Sequence, residues 1–235
     1  MNTDTKTSRV LGIAFLLQFI TSLFSGTILR QAWYVPGNMS ESLLNIANKP
    51  WLMQANILVD MLTALGVIFL GAILFMSLRE QNEKIALVAL GFYILEGTLL
   101  AASRLAAFSL IGISQEYVTT GFSAYLLTMG KLAFESMDFV GSTLHMLAFC
   151  FGGILFYYLL YRSGIVPRAF SLWGLITVLP CLAGTLLAVF GVQVPFFIYL
   201  PYAPFELVIA IWILFKGIPA GLESKIHLAQ VNNLV

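Results

Sequence analysis

The sequence predicts an all-α membrane protein, a bundle of six transmembrane helices in one domain. Two observations carry this. The 235 residues are 60% hydrophobic and only 10% charged, whereas soluble domains carry roughly 25% charged residues. The apolar residues also fall in six runs, each near the ~20 residues a helix needs to cross the hydrocarbon core.

Those runs lie at about 10–29, 52–77, 85–111, 137–161, 169–190 and 197–215. The first follows Lys6 and Arg9. It is too long for the apolar core of a signal peptide and has no clear small-residue cleavage site, so it reads as a span. WYVPGNMSES and NKP end the first run. REQNEK makes a tight polar turn after the second. The stretch 112–136 separates the third from the fourth, YRSGIVPR the fourth from the fifth, and GVQVP the fifth from the sixth.

Basic residues set the orientation. Lys6, Arg9, Arg79, Lys84, Arg162, Arg168, Lys216 and Lys225 fall on one side; Arg30, Lys49 and Lys131 fall on the other. Both termini are therefore expected in the cytoplasm. Residues 1–9 and 218–235 are short tails, and 10–217 is the transmembrane domain. The segments 30–51 and 112–136 are expected to be outer loops, with Trp33, Tyr34, Trp51, Tyr117 and Tyr125 as interfacial anchors. No internal repeat stands out.

Composition narrows the chemistry. A net charge of +1 gives no footprint for nucleic acid. Cys150 and Cys181 lie in apolar runs and read as buried free thiols. The chain has no phosphate-binding glycine loop, no H-E-x-x-H and no G-x-S-x-G. His227 lies in the polar C-terminal tail, which leaves His145 as the single intramembrane histidine. No metal ligand set and no cofactor follow from these spacings. Glu135 and His145 are about 15 Å apart along a helix axis and cannot share one ion.

The polar residues inside the runs are the informative ones. Helical rise places Asp60 about 12 Å, Arg104 about 10 Å, His145 about 12 Å and Glu206 about 14 Å from the outer ends of their spans. Glu96 is near the midplane, and Asp138 is at the mouth of the fourth span. Glu135, Asp138, Ser142 and His145 share one helical face, as do Asn56, Asp60 and Thr63. A charge at the bilayer centre costs about 2.5–3.5 kcal/mol on insertion scales. These groups should therefore turn inward and meet. Arg104 should pair with a carboxylate, Glu206 or Asp60 before Glu96.

Four carboxylates, Asp60, Glu96, Asp138 and Glu206, then face one fixed cation and one histidine. A retained proton, a bound cation or water admitted from outside would each relieve the excess. Pro195, Pro201 and Pro204 precede Glu206. They fit either an irregular start to the last span or a bend that aims Glu206 into a cavity.

SRVLGIAFLLQFITS, LYRSGIVPRAFSLWGL and PFELVIAIWILFKGI together resemble the bacterial membrane family catalogued as domain of unknown function 4386, over about residues 8–218. The resemblance implies a bacterial cytoplasmic-membrane protein. It also implies family positions at Arg104, His145, Ser163, Pro167, Glu206 and Trp212, and no particular reaction. Ser163, Pro167 and the flanking arginines read as a cytoplasmic turn.

Three functions fit. In the first, a buried site of Asp60, Glu96, Arg104, Asp138, His145 and Glu206 opens outward and binds or moves a small polar ligand, a lipid headgroup or a proton. Arg104 would hold an anionic group there, and His145 with Glu206 would exchange a proton. The second is an intramembrane enzyme with His145 as general base. The third is a scaffold whose charges glue helices together. The partner common to all three is the lipid bilayer.

Overall fold

The computed structural model describes residues 3–216; His227, Lys225 and the tail 218–235 lie outside them. Among the described residues there are helices and turns and no strands. Among these residues, five helical rods are long and apolar enough to cross a membrane.

The first rod is α1 (Thr3–Leu23), a π-helical turn (Phe24–Leu29) and α2 (Arg30–Trp33). A short helix, α3 (Met39–Asn48), leads to the second rod, α4 (Pro50–Leu78). The third is α5 (Glu83–Thr119). The fourth joins α6 (Ala124–Asp138), a second π turn (Phe139–Leu144) and α7 (His145–Ser163). The fifth is α8 (Arg168–Val189). A single 3-10 turn (Phe196–Ile198) precedes α9 (Ala203–Lys216).

Local chemistry explains most boundaries. Asn38 and Asn82 cap α3 and α5, their side chains accepting from the amides of Glu41 and Ile85. Pro50 opens α4 at a position where its missing N–H is not needed. The S-G-x-V-P-R turn behaves as its sequence suggests. Gly164 ends α7 with φ of 67°, and the Ser163 hydroxyl accepts from the Ile165 amide at 3.2 Å.

The segments expected as outer loops differ from expectation. Residues 39–48, 112–119 and 124–136 are helical rather than loops. At about 1.5 Å per residue, the 37-residue α5 is about 55 Å long, against about 30 Å of hydrocarbon. The surplus of α5, with α2, α3 and α6, forms a helical cap around its own core of Trp33, Leu43, Ile46, Leu110, Tyr117 and Leu126. Two of the expected anchors belong to this core. Trp33 and Tyr117 are buried, and the Tyr117 hydroxyl bonds that of Ser40 at 2.9 Å. Trp51 and Tyr125 are exposed, as anchors should be.

A larger core fills the rest of the bundle, with Phe15, Leu74, Tyr93, Tyr157, Phe205 and Ile209 among its members. Small residues let the rods approach, as is usual between helices in lipid. Tyr93 is seated between Gly71 on α4 and Gly152 on α7, where a Cβ would lie 2.7 Å from the Tyr93 Cβ on one side and 2.7 Å from its ring Cδ2 on the other. The outward surface of the rods carries apolar side chains such as Leu58, Leu105 and Phe108. Apolar groups on both faces of a helix are the mark of a lipid solvent. Cys150 and Cys181 are buried and free.

The last segment is composite. α9 has 14 residues, about 21 Å, which is short of the bilayer. Residues 192–202, an irregular stretch with one 3-10 turn, run before it. The Trp173 indole ties this stretch to α8 by donating to the Pro201 carbonyl at 3.2 Å. Ile198 and Tyr199 close over Gly184.

Candidate functional site

Two cavities meet inside the bundle. The first, about 190 Å³, is lined by all the expected site residues except Glu206. The second, about 240 Å³, holds Glu206 among apolar walls. Gln18, Ser22, Glu96 and His145 line both and mark the junction.

The polar chamber is built around Asp60. Its carboxylate pairs with the Arg104 guanidinium across α4 and α5. It also accepts from the Ser25 hydroxyl at 2.5 Å and from the Asn56 amide at 3.0 Å. Asn56 is oriented in turn by the Trp33 indole N–H, which bonds its side-chain oxygen at 3.0 Å. Arg104 also donates from Nε and Nη2 to the neighbouring Ser103 hydroxyl. Of the partners expected for Arg104, Asp60 is the one that meets it and Glu206 is not.

A second ion pair lies nearer the cap. Arg30 bonds Asp138 at 2.8 Å, and Ser142 donates to the same carboxylate at 3.0 Å. The Arg30 guanidinium also lies over the rings of Tyr34 and Phe134. The sequence placed Arg30 in an outer loop; the helix runs on through it. Glu135, one turn from Asp138, is exposed and faces Lys131 instead.

Both π turns border this chamber. In each, the amide that closes the turn reaches back five residues, from Arg30 to Ser25 and from His145 to Val140. Such turns concentrate at functional sites. Here the first presents Ser25 to Asp60, and Ser142 in the second serves Asp138. Gly141 packs against Arg104: a Cβ there would lie 2.5 Å from its Nη2. The face expected to join Asp138, Ser142 and His145 is thus interrupted by wider helix, yet all three still line the cavity.

The apolar chamber has a different character. Glu206 accepts one bond, from the Tyr202 hydroxyl at 2.9 Å. Tyr202 in turn bonds the Tyr157 hydroxyl. Phe19, Phe149 and Tyr199 form walls. Leu23 and Leu200, each about half exposed, belong both to the cavity and to the lipid-facing surface.

Three buried side-chain atoms at the junction have no hydrogen-bond partner: Gln18 Oε1, Glu96 Oε2 and His145 Nδ1. Buried polar atoms are nearly always paired; these three lie together on the walls the two cavities share. Among the described residues, no three of His, Cys, Asp and Glu gather closely enough to hold a metal ion.

Sequence reasoning missed Gln18, Ser25 and Arg30 as site residues. Gln18 is the lone polar residue of LGIAFLLQFI, which was signal enough. The π turns also share a pattern, Phe24-Ser25-Gly26-Thr27 and Phe139-Val140-Gly141-Ser142, a phenylalanine followed two residues later by glycine and then a hydroxyl residue.

No curated protein matches the chain, and no solved structure does. Residues 10–217 match one family along nearly the whole chain, and the chain belongs to it: the family described as Domain of unknown function (DUF4386).

Proposed function

We propose that this is a six-span protein of the bacterial cytoplasmic membrane that binds a small polar ligand or lipid headgroup where its two cavities meet. The composite last segment counts as the sixth span. Gly12, early in α1, packs against the backbone of Leu214, late in α9, where a Cβ would come within 2.8 Å of the Leu214 nitrogen. α9 therefore ends on the side where α1 begins. The excess of basic residues on that side supports a cytoplasmic location for it.

The observation that carries the binding reading is the convergence of unpartnered Gln18 Oε1, Glu96 Oε2 and His145 Nδ1 on shared cavity walls. Leaving buried polar groups unsatisfied costs about 1–3 kcal/mol each, and a ligand removes that cost. Scaffolding alone does not account for it, because glue requires bonds already made. The general-base reading is weaker. It needs a carboxylate bonded to the imidazole, and His145 Nδ1 has no partner.

Native mass spectrometry of the gently purified protein tests this. The expected result is a reproducible added mass that His145→Ala and Glu96→Gln both lose while remaining folded. A bare polypeptide mass in every preparation would count against a bound ligand and return the chamber to water and structure.

A further inference from the structure

We infer that the ligand carries a positive charge on an apolar body: an ammonium group held between Glu96 and Glu206, with its hydrocarbon part in the apolar chamber. This rests on the binding reading above and names the ligand class.

The charges divide cleanly. The sequence suggested that Arg104 holds an anion, but both arginines of the polar chamber already have carboxylates: Arg104 has Asp60 and Arg30 has Asp138. The two acids left over, Glu96 and Glu206, line the same apolar chamber, and among the described residues no lysine or arginine lines it with them. An anion there would face two carboxylates and no cation.

The unpartnered atoms agree. Glu96 is 4% exposed, and its Oε2 has no donor. Gln18 Oε1 is likewise an acceptor without a donor. The site is short of donors, and an ammonium brings up to three. A calcium or magnesium ion asks instead for about six oxygens, which these apolar walls do not offer. The rings of Phe19, Phe149, Tyr199 and Tyr202 suit an ammonium, through cation–π attraction and apolar contact. Leu23 and Leu200 give its hydrocarbon part a way to the lipid. Either a free lipophilic amine or an amine-bearing lipid headgroup has this chemistry.

The experiment is equilibrium binding of labelled decylamine to the full chain in phosphatidylcholine nanodiscs, with decanol and decanoate as competitors of equal length. Decylamine is expected to bind at least roughly tenfold more tightly than decanoate. Glu96→Gln and Glu206→Gln, each verified as folded by its thermal transition, are expected to weaken the amine by a similar factor and leave decanol unchanged. Lysophosphatidylethanolamine displacing decylamine with the same dependence on Glu96 supports a headgroup as the source; failure to displace it supports a free amine. Decanoate binding as well as decylamine, or an amine indifferent to both variants, overturns the charge assignment and leaves the cavity as a binding site. If none of the three amphiphiles binds, the amine assignment falls, and the binding reading stands or falls on the added mass seen by native mass spectrometry.

Discussion

Arg104 and Asp60 join the third rod to the second through an ion pair buried on both sides, with side chains only 11% and 10% exposed. Around it the first rod contributes Ser25, so one carboxylate gathers groups from three rods.

Breaking this pair from one side leaves a charge with no partner. Arg104→Met is expected to cost about 3–5 kcal/mol, and joining it to Asp60→Leu should recover most of the loss. Reversible unfolding in mixed micelles, run as a double-mutant cycle, measures both. Equal and additive losses would show that the pair is not coupled.

The Arg30–Asp138 pair behaves differently. Its side chains are 30% and 39% exposed, so water screens them. Asp138→Asn should cost no more than about 1 kcal/mol in the same assay. Arg30 keeps its contacts with the Tyr34 and Phe134 rings in that variant.

Gly141→Ala introduces a methyl group against Ser103 and Arg104. Overpacking of this kind costs about 1–3 kcal/mol. Gly91→Ala on the same assay is the control. Nothing lies within 4 Å of a Cβ there, and alanine's better helix propensity should raise stability by up to about 1 kcal/mol. Similar losses at both glycines would argue against a tight approach at Gly141.

Glu96→Leu is expected to stabilise the bundle by about 1–3 kcal/mol, because it removes a buried acceptor that the protein leaves unsatisfied. The same variant should lose the bound mass. Stability gained where binding is lost is the signature of a functional residue rather than a structural one. A destabilised variant would mean that Glu96 holds the fold together.

Orientation is open to cysteine labelling in intact cells. Gln115→Cys should react with an impermeant maleimide from outside. Glu80→Cys and Lys216→Cys should react only after permeabilisation. Labelling of Lys216→Cys in intact cells would mean that α9 does not complete a sixth span.

The bundle was legible because lipid selects long apolar runs, and the Asp60–Arg104 pair because two opposite charges at similar depth have nowhere else to go. The cap was not. Leu43, Ile46 and Leu126 are spaced among polar residues, so a criterion tuned to spans sees loops where amphipathic helices pack on one another. Arg30 was hidden by a boundary: a cation just past an apolar run looks like an anchor until the helix continues. Glu206 was correctly placed inside the protein, but helical depth says nothing about azimuth between rods. Its neighbours proved to be tyrosines rather than Arg104.

The two π turns bear on how this chain tolerates changes in its length. Elsewhere in a helix, losing one residue swings everything beyond it by about 100°, which here would carry a whole lining of side chains out of the cavity. A π turn already holds one residue more than the α ladder requires. Dropping a residue within Phe24–Leu29 or Phe139–Leu144 can tighten the coil and leave both flanks in phase. Single-residue deletions in the membrane rods should therefore survive at these two places, beside the cavity, sooner than in the regular turns around them.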